Sequence, residues 1–564
     1  MSGMSSLSIA VSGMRAAQTG LSVTGHNLAN LETPGHVRQQ AMQKDFYYSK
    51  VGNNSSGAMK IGLGTDIAEI RQIRDKFLDI SYREQLSKVA YYGVKFDAGQ
   101  EIETFLGELE GEYKLGDILQ DMRDAISELN ANPTGVDTRG NFISTCIAFY
   151  NKVNNVSKRL GEYQQNINEQ IKGSVITINN LVSKIDMLNK MISGAEAMGD
   201  NANDYRDERN VAIDQLGLLM DLTVKEQPNG SVDILCEGKE LLVGGMQHKL
   251  GLRYSSPNCN FVEPVFTDFE GILPCDAIDD NAVPLYNTYS YNAVDAAHNN
   301  DKGKLKALLI TRGLGPANYL SSPANLDTLD PFYSKNLFSI QNCFIPKVQM
   351  ELDTLVHSMV TMINDTFSPY SEVPPQKDPN APYGLDGTQY FEIFTRKNGI
   401  YRDRFDASGN YNEEDPADIN SLYTIGNFEI NPELLNTSGY KKIPTSMTIS
   451  DVHDQTITRM LQDIWSRPLI SLNGGEPLSV DLFYQQFVTH VGIETNEAMN
   501  YVKTQSELVQ QIDGKRQQIS GTSLDEEMKN MMVYQHAYNA SARMINVLDG
   551  MIDKIVNGTG RVGM

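Results

Sequence analysis

Apolar side chains recur every seven residues at both ends of this chain, and that repeat limits the fold more than any other feature. Near the start, Leu7, Met14, Leu21 and Leu28 step by sevens, with Ala10, Val11, Ala17, Thr24 and Leu31 beside them. Steps of three, four and seven put these residues on one helical face, spaced like a coiled-coil seam. Gly13, Gly20 and Gly25 should weaken this helix by about 1 kcal/mol each relative to alanine. The run Asn30, Thr33, Pro34, Gly35 ends it. Near the other end, Leu524, Met531, Tyr538, Ile545 and Ile552 repeat the interval. Ser523 followed by Glu526 reads as a capping box opening this second helix, and Gly558 and Gly560 close it. Neither end has a compact domain of its own. Isolated helices are marginal in water, so the stripes point to packing against each other or against neighbouring molecules, with ordering coupled to assembly.

At 564 residues the chain is too long for one ordinary domain. The reading is mainly α with β-containing insertions. Terminal helical regions over 1–70 and 521–564 enclose a helical body over 71–367, a β-containing region over 368–480 and a return helix over 481–520. In the body, Val153, Val156, Leu160, Ile171, Val175, Ile178, Leu181, Val182, Ile185 and Leu188 predict one very long helix. A hairpin is expected near 222–245, turning at Pro228-Asn229-Gly230, where Asn-Gly supplies the positive φ such turns need. The Pro-, Asn- and Asp-rich stretch near 255–300 reads as an irregular insertion, and 369–382 as a proline-rich connector. Gly62-Leu63-Gly64 reads as a turn.

The net charge of −23 argues against a chain that neutralises nucleic-acid phosphates or is drawn to anionic lipid. No apolar run is long enough to span a bilayer, and no conventional signal peptide is visible. Five scattered cysteines form no CxxC pair, so neither a disulfide framework nor a zinc site follows. No metalloprotease, phosphate-loop or nucleophile-elbow motif is present. No catalytic residue, cofactor or metal site is therefore assigned. Asp204, Asp207 and Glu208 beside Arg206 and Arg209 read as a solvated, salt-bridged helix face. His26 and His36 read as solvated or core-packed, and Met531 and Met532 as core filler.

The segment Asn27-Leu28-Ala29-Asn30-Leu31-Glu32-Thr33-Pro34-Gly35-His36-Val37-Arg38-Gln39 closely resembles the N-terminal signature of bacterial flagellar rod, hook and junction proteins, which has tyrosine where His36 stands. Its motif positions are Asn27, Asn30, Thr33, Pro34, Gly35, Arg38 and Gln39. The runs from Ser520 to Met528 and from Tyr534 to Arg543 resemble the C-terminal region that axial proteins share. Arg74-Asp75-Lys76-Phe77-Leu78-Asp79 with Tyr82-Arg83, Leu129 to Pro133 with Arg139, and Asn203 to Arg209 resemble the FlgK family of hook–filament junction proteins.

That resemblance implies a nested axial architecture. Coiled-coil terminal helices (D0-like) form an inner tube, a helical bundle (D1-like) surrounds it, and a mixed β domain (D2-like) faces outward. It implies a structural role, without enzymatic activity, in joining hook to filament. It further implies self-assembly into a ring or short tube, contacts with the hook protein and the next junction protein, and an export chaperone on the C-terminal helix. Export would pass through the flagellar type III apparatus to an extracellular flagellum. Leu7, Met14, Leu21, Leu28, Leu524, Met531, Tyr538, Ile545 and Ile552 are the expected assembly interface. The rival readings are a hook or distal-rod subunit and a secreted coiled-coil adhesin.

Overall fold

The computed structural model describes residues 2–54, 57–107, 114–256, 259–266, 283–286, 294, 296–321, 342–372, 375–406, 408–472 and 475–558. The fold is mainly α with small antiparallel sheets. Two compact units form, one from Met1–Ser87, Thr177–His248 and Thr504–Met564, the other from Lys88–Ile176 and Lys249–Lys503. The helices α2 (Lys76–Leu106), α4 (Val136–Ala197) and α9 (Val480–Ser520) contribute residues to both units. This division differs from the expected one, because the terminal regions share a unit with part of the helical body. The very long helix is α4, at 62 residues. Its apolar side recurs at helical spacing, from Phe142 to Ile192, and is almost fully buried.

In the first unit α1 (Ser2–Ala29) is followed by β1 (Gln39–Asp45), β2 (Tyr48–Asn54), β3 (Gly57–Gly62) and β4 (Thr65–Gln72). β1 pairs antiparallel with β4, and β2 with β3. The sequence reading had not anticipated these strands. Gly64, at φ +112°, makes the tight turn into β4; a Cβ there would meet Ser12 Oγ at 2.0 Å. Then come α5 (Asn203–Leu219) and a four-stranded meander of β5 (Leu222–Glu226), β6 (Val232–Cys236), β7 (Lys239–Val243) and β8 (Met246–Gln247). Asn189 on α4 holds β6 by accepting from the Val232 amide at 3.1 Å and donating to its carbonyl at 2.9 Å. The expected β5–β6 hairpin is present, but only Gly230 of its Asn-Gly pair takes positive φ. The two-residue turn with both angles positive lies one hairpin later, at Glu237-Gly238. The unit closes with the end of α9 and with α10 (Leu524–Gly558).

The second unit holds α3 (Leu115–Ala131), β9 (Leu250–Ser256), β10 (Cys259–Phe266), β11 (Val283–Pro284), α6 (Lys304–Arg312) and α7 (Phe344–Phe367). Four short strands follow, β12 (Tyr370–Glu372), β13 (Pro375–Lys377), β14 (Phe394–Arg396) and β15 (Phe428–Ile430), and then α8 (Thr456–Ser466). The 255–300 segment is not wholly irregular: β10 pairs with β9 and β11, although residues 257–258, 267–282, 287–293 and 295 lie outside the described residues. Arg312 fixes that sheet, donating to the Val262 carbonyl at 2.8 Å, while Gln164 of α4 donates to the Arg312 carbonyl at 2.9 Å. The 369–382 segment, read as a connector, contains the β12–β13 hairpin. Arg139, fully buried, donates to the carbonyls of Pro133, Tyr440 and Ile443 and to Thr445 Oγ1. Those four bonds satisfy the buried guanidinium.

Candidate assembly interface

The two terminal helices pack on each other along a row of small residues. A Cβ built on Gly13 would lie 3.1 Å from Ser541 Oγ, and one on Gly20 would lie 2.6 Å from the Tyr534 ring. One step further, Asn27 Nδ2 donates to Glu527 Oε2 at 3.2 Å. Each seven residues along α1 therefore meet seven residues in the opposite direction on α10, an antiparallel pairing in heptad register. The glycines read as helix-weakening positions are the points of closest approach. The expected seam residues stand one position later: Leu7, Met14, Leu21 and Leu28 are half-buried. On α10, Met531, Tyr538 and Ile545 are half-buried, while Leu524 and Ile552 are exposed. Met528, Met532, Val533, Met544, Val547, Met551, Ile555 and Val556 are also exposed, so Met532 is not core filler. A broad apolar surface on the pair is left uncovered by the described residues.

The base of the pair is fastened by the signature segment. Asn27 is 1% exposed, and its amide exchanges two hydrogen bonds with the backbone of Gln39 at 2.9 and 3.0 Å, ending α1 and starting β1. Arg38 donates through Nε to Glu527 at 2.8 Å and pairs through Nη1 with Glu526 at 2.9 Å. Glu526, expected to cap α10, is thus engaged by the other terminus. Glu527 is the buried residue on α10, a charge carried inside because two donors reach it. The Arg38 amide bonds to the Ser520 carbonyl at 2.9 Å, and Ile73 returns to the Arg38 carbonyl at 2.9 Å. Asn30 Nδ2 folds back on the His26 carbonyl at 3.1 Å and Thr33 Oγ1 on Asn30 at 3.1 Å. Thr33, Pro34 and Gly35 are exposed. Gly35 has φ +82°, and a Cβ there would meet Val211 of α5 at 2.2 Å.

Helix α5 supplies the other wall. Asp207 accepts from the Val37 amide at 3.1 Å and from Gln72 Nε2 at 2.7 Å. Gln39 Nε2 donates to Asp204 at 2.9 Å, and His26 Nε2 lies 3.2 Å from the same carboxylate. Burial pushes the Asp207 carboxyl up to about 7, although the Val37 amide, Arg74 and Gln72 favour its charged form. Asp207 and Arg209 are buried, and burial lowers Arg209 to about 10. The expectation of a solvated face fails at these two positions. Arg206, by contrast, bridges Glu196 and Glu226 at 2.7 and 2.6 Å. Below this clasp, Arg516 joins Asp79 at 2.9 Å and Asp214 at 3.1 Å, where Arg83 also pairs. Sequence reasoning missed Glu527, Tyr534 and Ser541, yet they share a seven-residue step with one another as Gly13, Gly20 and Asn27 do.

Among the described residues no group of three or more His, Cys, Asp or Glu could hold a metal ion. Nor is any helix long and apolar enough to cross a membrane.

The flagellar hook-associated protein FlgK helical domain matches residues 99–368, and the flagellar basal body rod FlgEFG protein C-terminal region matches residues 514–558. The flagellar hook-associated protein 1 of Bacillus subtilis is 25% identical over 561 residues, covering 97% of this chain and 96% of that protein. Its counterpart in Salmonella typhimurium is 23% identical over 573 residues, with 97% and 98% covered. That of Escherichia coli K12 is 22% identical over 558 residues, with the same coverage. The fold is similar to the flagellar hook junction protein FlgK from Burkholderia pseudomallei, at a TM-score of 0.53 and 11% identity, over 78% of this chain and all of that one. The region 99–368 therefore matches the FlgK helical domain, and nearly the whole chain is similar to flagellar hook-associated protein 1.

Proposed function

We propose that this chain is a structural subunit of the bacterial flagellum that polymerises at the distal end of the hook and joins hook to filament. One observation carries the reading. The terminal helices pair in heptad register, yet leave an apolar stripe uncovered on α10, in a chain that matches hook-associated protein 1 along nearly its whole length. Uncovered stripes of this kind are stable in water only when something covers them. Neighbouring copies in a ring or short tube would do so, with Leu7, Met14, Leu21, Leu28, Leu524, Met531, Tyr538, Ile545 and Ile552 contributing.

In the nested arrangement that follows, the paired termini form the inner layer, helices the next, and the 368–480 region the outer face. The hook protein and the next junction protein would cap the assembly on either side. Before assembly the same stripe over Leu524 to Val556 would be guarded by a cytosolic chaperone binding it in helix-in-groove fashion. Export through the flagellar type III apparatus would then deliver the chain to the extracellular flagellum. A hook or distal-rod subunit is the rival, favoured by the rod-type match over 514–558 alone. The FlgK helical domain over 99–368 weighs against it.

Electron microscopy of cells lacking the chain, with an assay of flagellin in the medium, separates these readings. Complete hooks without filaments, with flagellin spilled as monomer, are expected. Missing hooks would move the chain to the rod or hook, and intact filaments would overturn the junction role.

A further inference from the structure

Two imidazoles and two carboxylates meet where the signature loop lies on α5. His36 Nδ1 is 3.7 Å from Asp207 Oδ2, and His26 Nε2 is 3.2 Å from Asp204 Oδ1. The two rings stand edge to face with centroids 5.4 Å apart. The side chains of His36 and Asp207 are 7% and 9% exposed, and His36 Nε2 is buried with no hydrogen-bond partner among the described residues. All four residues line one cleft of about 340 Å³, with Asn30, Pro34 and Val211. The charged groups around the pair are His26 from α1, Asp204 and Glu208 from α5, and Arg74 from the segment before α2. Glu208 is already paired with Lys184 at 2.7 Å.

From this juxtaposition we infer that His36 and Asp207 form a proton-operated latch that sets how firmly the Asn30–Arg38 loop is held on α5. The loop joins α1 to β1, so the latch governs how tightly the terminal helix pair is fastened to the rest of its unit. Histidine titrates near neutrality, whereas tyrosine does not, so His36→Tyr removes the titrating ring.

The two groups act with opposite signs. Burial raises Asp207 from an ordinary carboxylate to about 7, so the docked loop holds a proton that the released loop gives up. That contribution is complete at acid pH and is lost as pH rises to about 7. Burial, then His26, lowers His36 below its usual value of 6.5, so the released loop binds a proton there that the docked loop refuses. That contribution is complete above 6.5 and is lost as pH falls below it. Where the windows overlap, the two effects cancel and the wild-type latch is nearly flat.

Removing one partner should therefore uncover the other. Hydrogen exchange of the loop amides in the full-length chain, corrected for intrinsic exchange rates, gives the opening constant as a function of pH. In His36→Tyr, opening should rise with pH, by up to about tenfold per pH unit between 4 and 7. In Asp207→Asn the trend should reverse, with opening falling as pH approaches 6.5. Profiles that move in the same direction in both variants, or that match the wild type in both, would overturn the latch. Should Asp207→Asn fail to fold, His36→Tyr decides alone: a steeper profile than wild type supports the latch, and an unchanged one sinks it. Because the measurement is made on the unassembled chain, its outcome is independent of the junction role.

Discussion

Gly20 and Gly25, five residues apart on α1, are the same residue type doing different work. A Cβ on Gly20 would lie 2.6 Å from the Tyr534 ring, whereas one on Gly25 would have no atom within 4 Å. Gly20→Val should therefore part the helices and destabilise their pairing by about 1–3 kcal/mol, as overpacking does. Gly25→Ala should instead stabilise α1 by up to about 1 kcal/mol, since only the backbone entropy of glycine is removed. Exchange protection of the α10 amides checks both. In the second unit, Glu392 is buried beside Arg404, Arg396 and Tyr423. Burial pushes its carboxyl up to about 8, although Arg404 and Arg396 pull it down. A raised carboxyl contributes stability that is complete at acid pH and lost as pH rises through 8. Glu392→Gln, which cannot ionise, should melt closer to wild type at pH 5 and increasingly above it toward pH 9. A stability gap that does not change with pH would refute the assignment.

In the proposed assembly the stripe on each terminal helix has two jobs. Leu21 and Ile545 are half-buried beside the contact row, so each is covered in part and still presents surface outward. Leu21→Asp or Ile545→Asp should abolish polymerisation, because a buried unpaired carboxylate costs far more than an exposed one. The second unit should melt as in wild type, and loss of its cooperative transition in either variant would count against the stripe as an assembly surface. The helices themselves were readable from spacing: α4, α7, α9 and α10 follow apolar rows whose period is the helix period. What spacing does not reveal is which row makes contact. Gly13 and Gly20 carry no apolar side chain, so their row is silent in a hydrophobic pattern, although close approach favours them. The β1–β4 and β2–β3 pairs were also hidden. Exposed strands such as Gln39–Asp45 and Thr65–Gln72 carry little of the alternating apolar signal by which strands are recognised. Asp207 and Arg209 looked solvated because mixed charges at helical spacing usually are. The loop folding back from α1 and Gln72 at the end of β4 cover Asp207, through contacts that span 170 and 135 residues of sequence.

Across the whole molecule, the proposed assembly sets apolar stripes that would draw copies together against a net charge that would push them apart. Each copy carries −23, so a ring of copies concentrates like charge within a few nanometres. At low salt the Debye length is about 30 Å at 0.01 M and the repulsion reaches neighbours, but at 0.15 M it is about 8 Å and most of it is screened. Apolar burial responds little to salt over that range. Polymerisation of the purified chain should therefore strengthen as salt rises from 0.01 to 0.15 M, the opposite of an assembly held by ion pairs between copies. Sedimentation at the two ionic strengths reads this directly. Leu21→Asp should stay monomeric at both, since screening removes the repulsion without restoring the surface that coheres. If salt instead dissolved the wild-type polymer, the copies would be held by charge pairs, and the uncovered stripe of α10 would need another occupant.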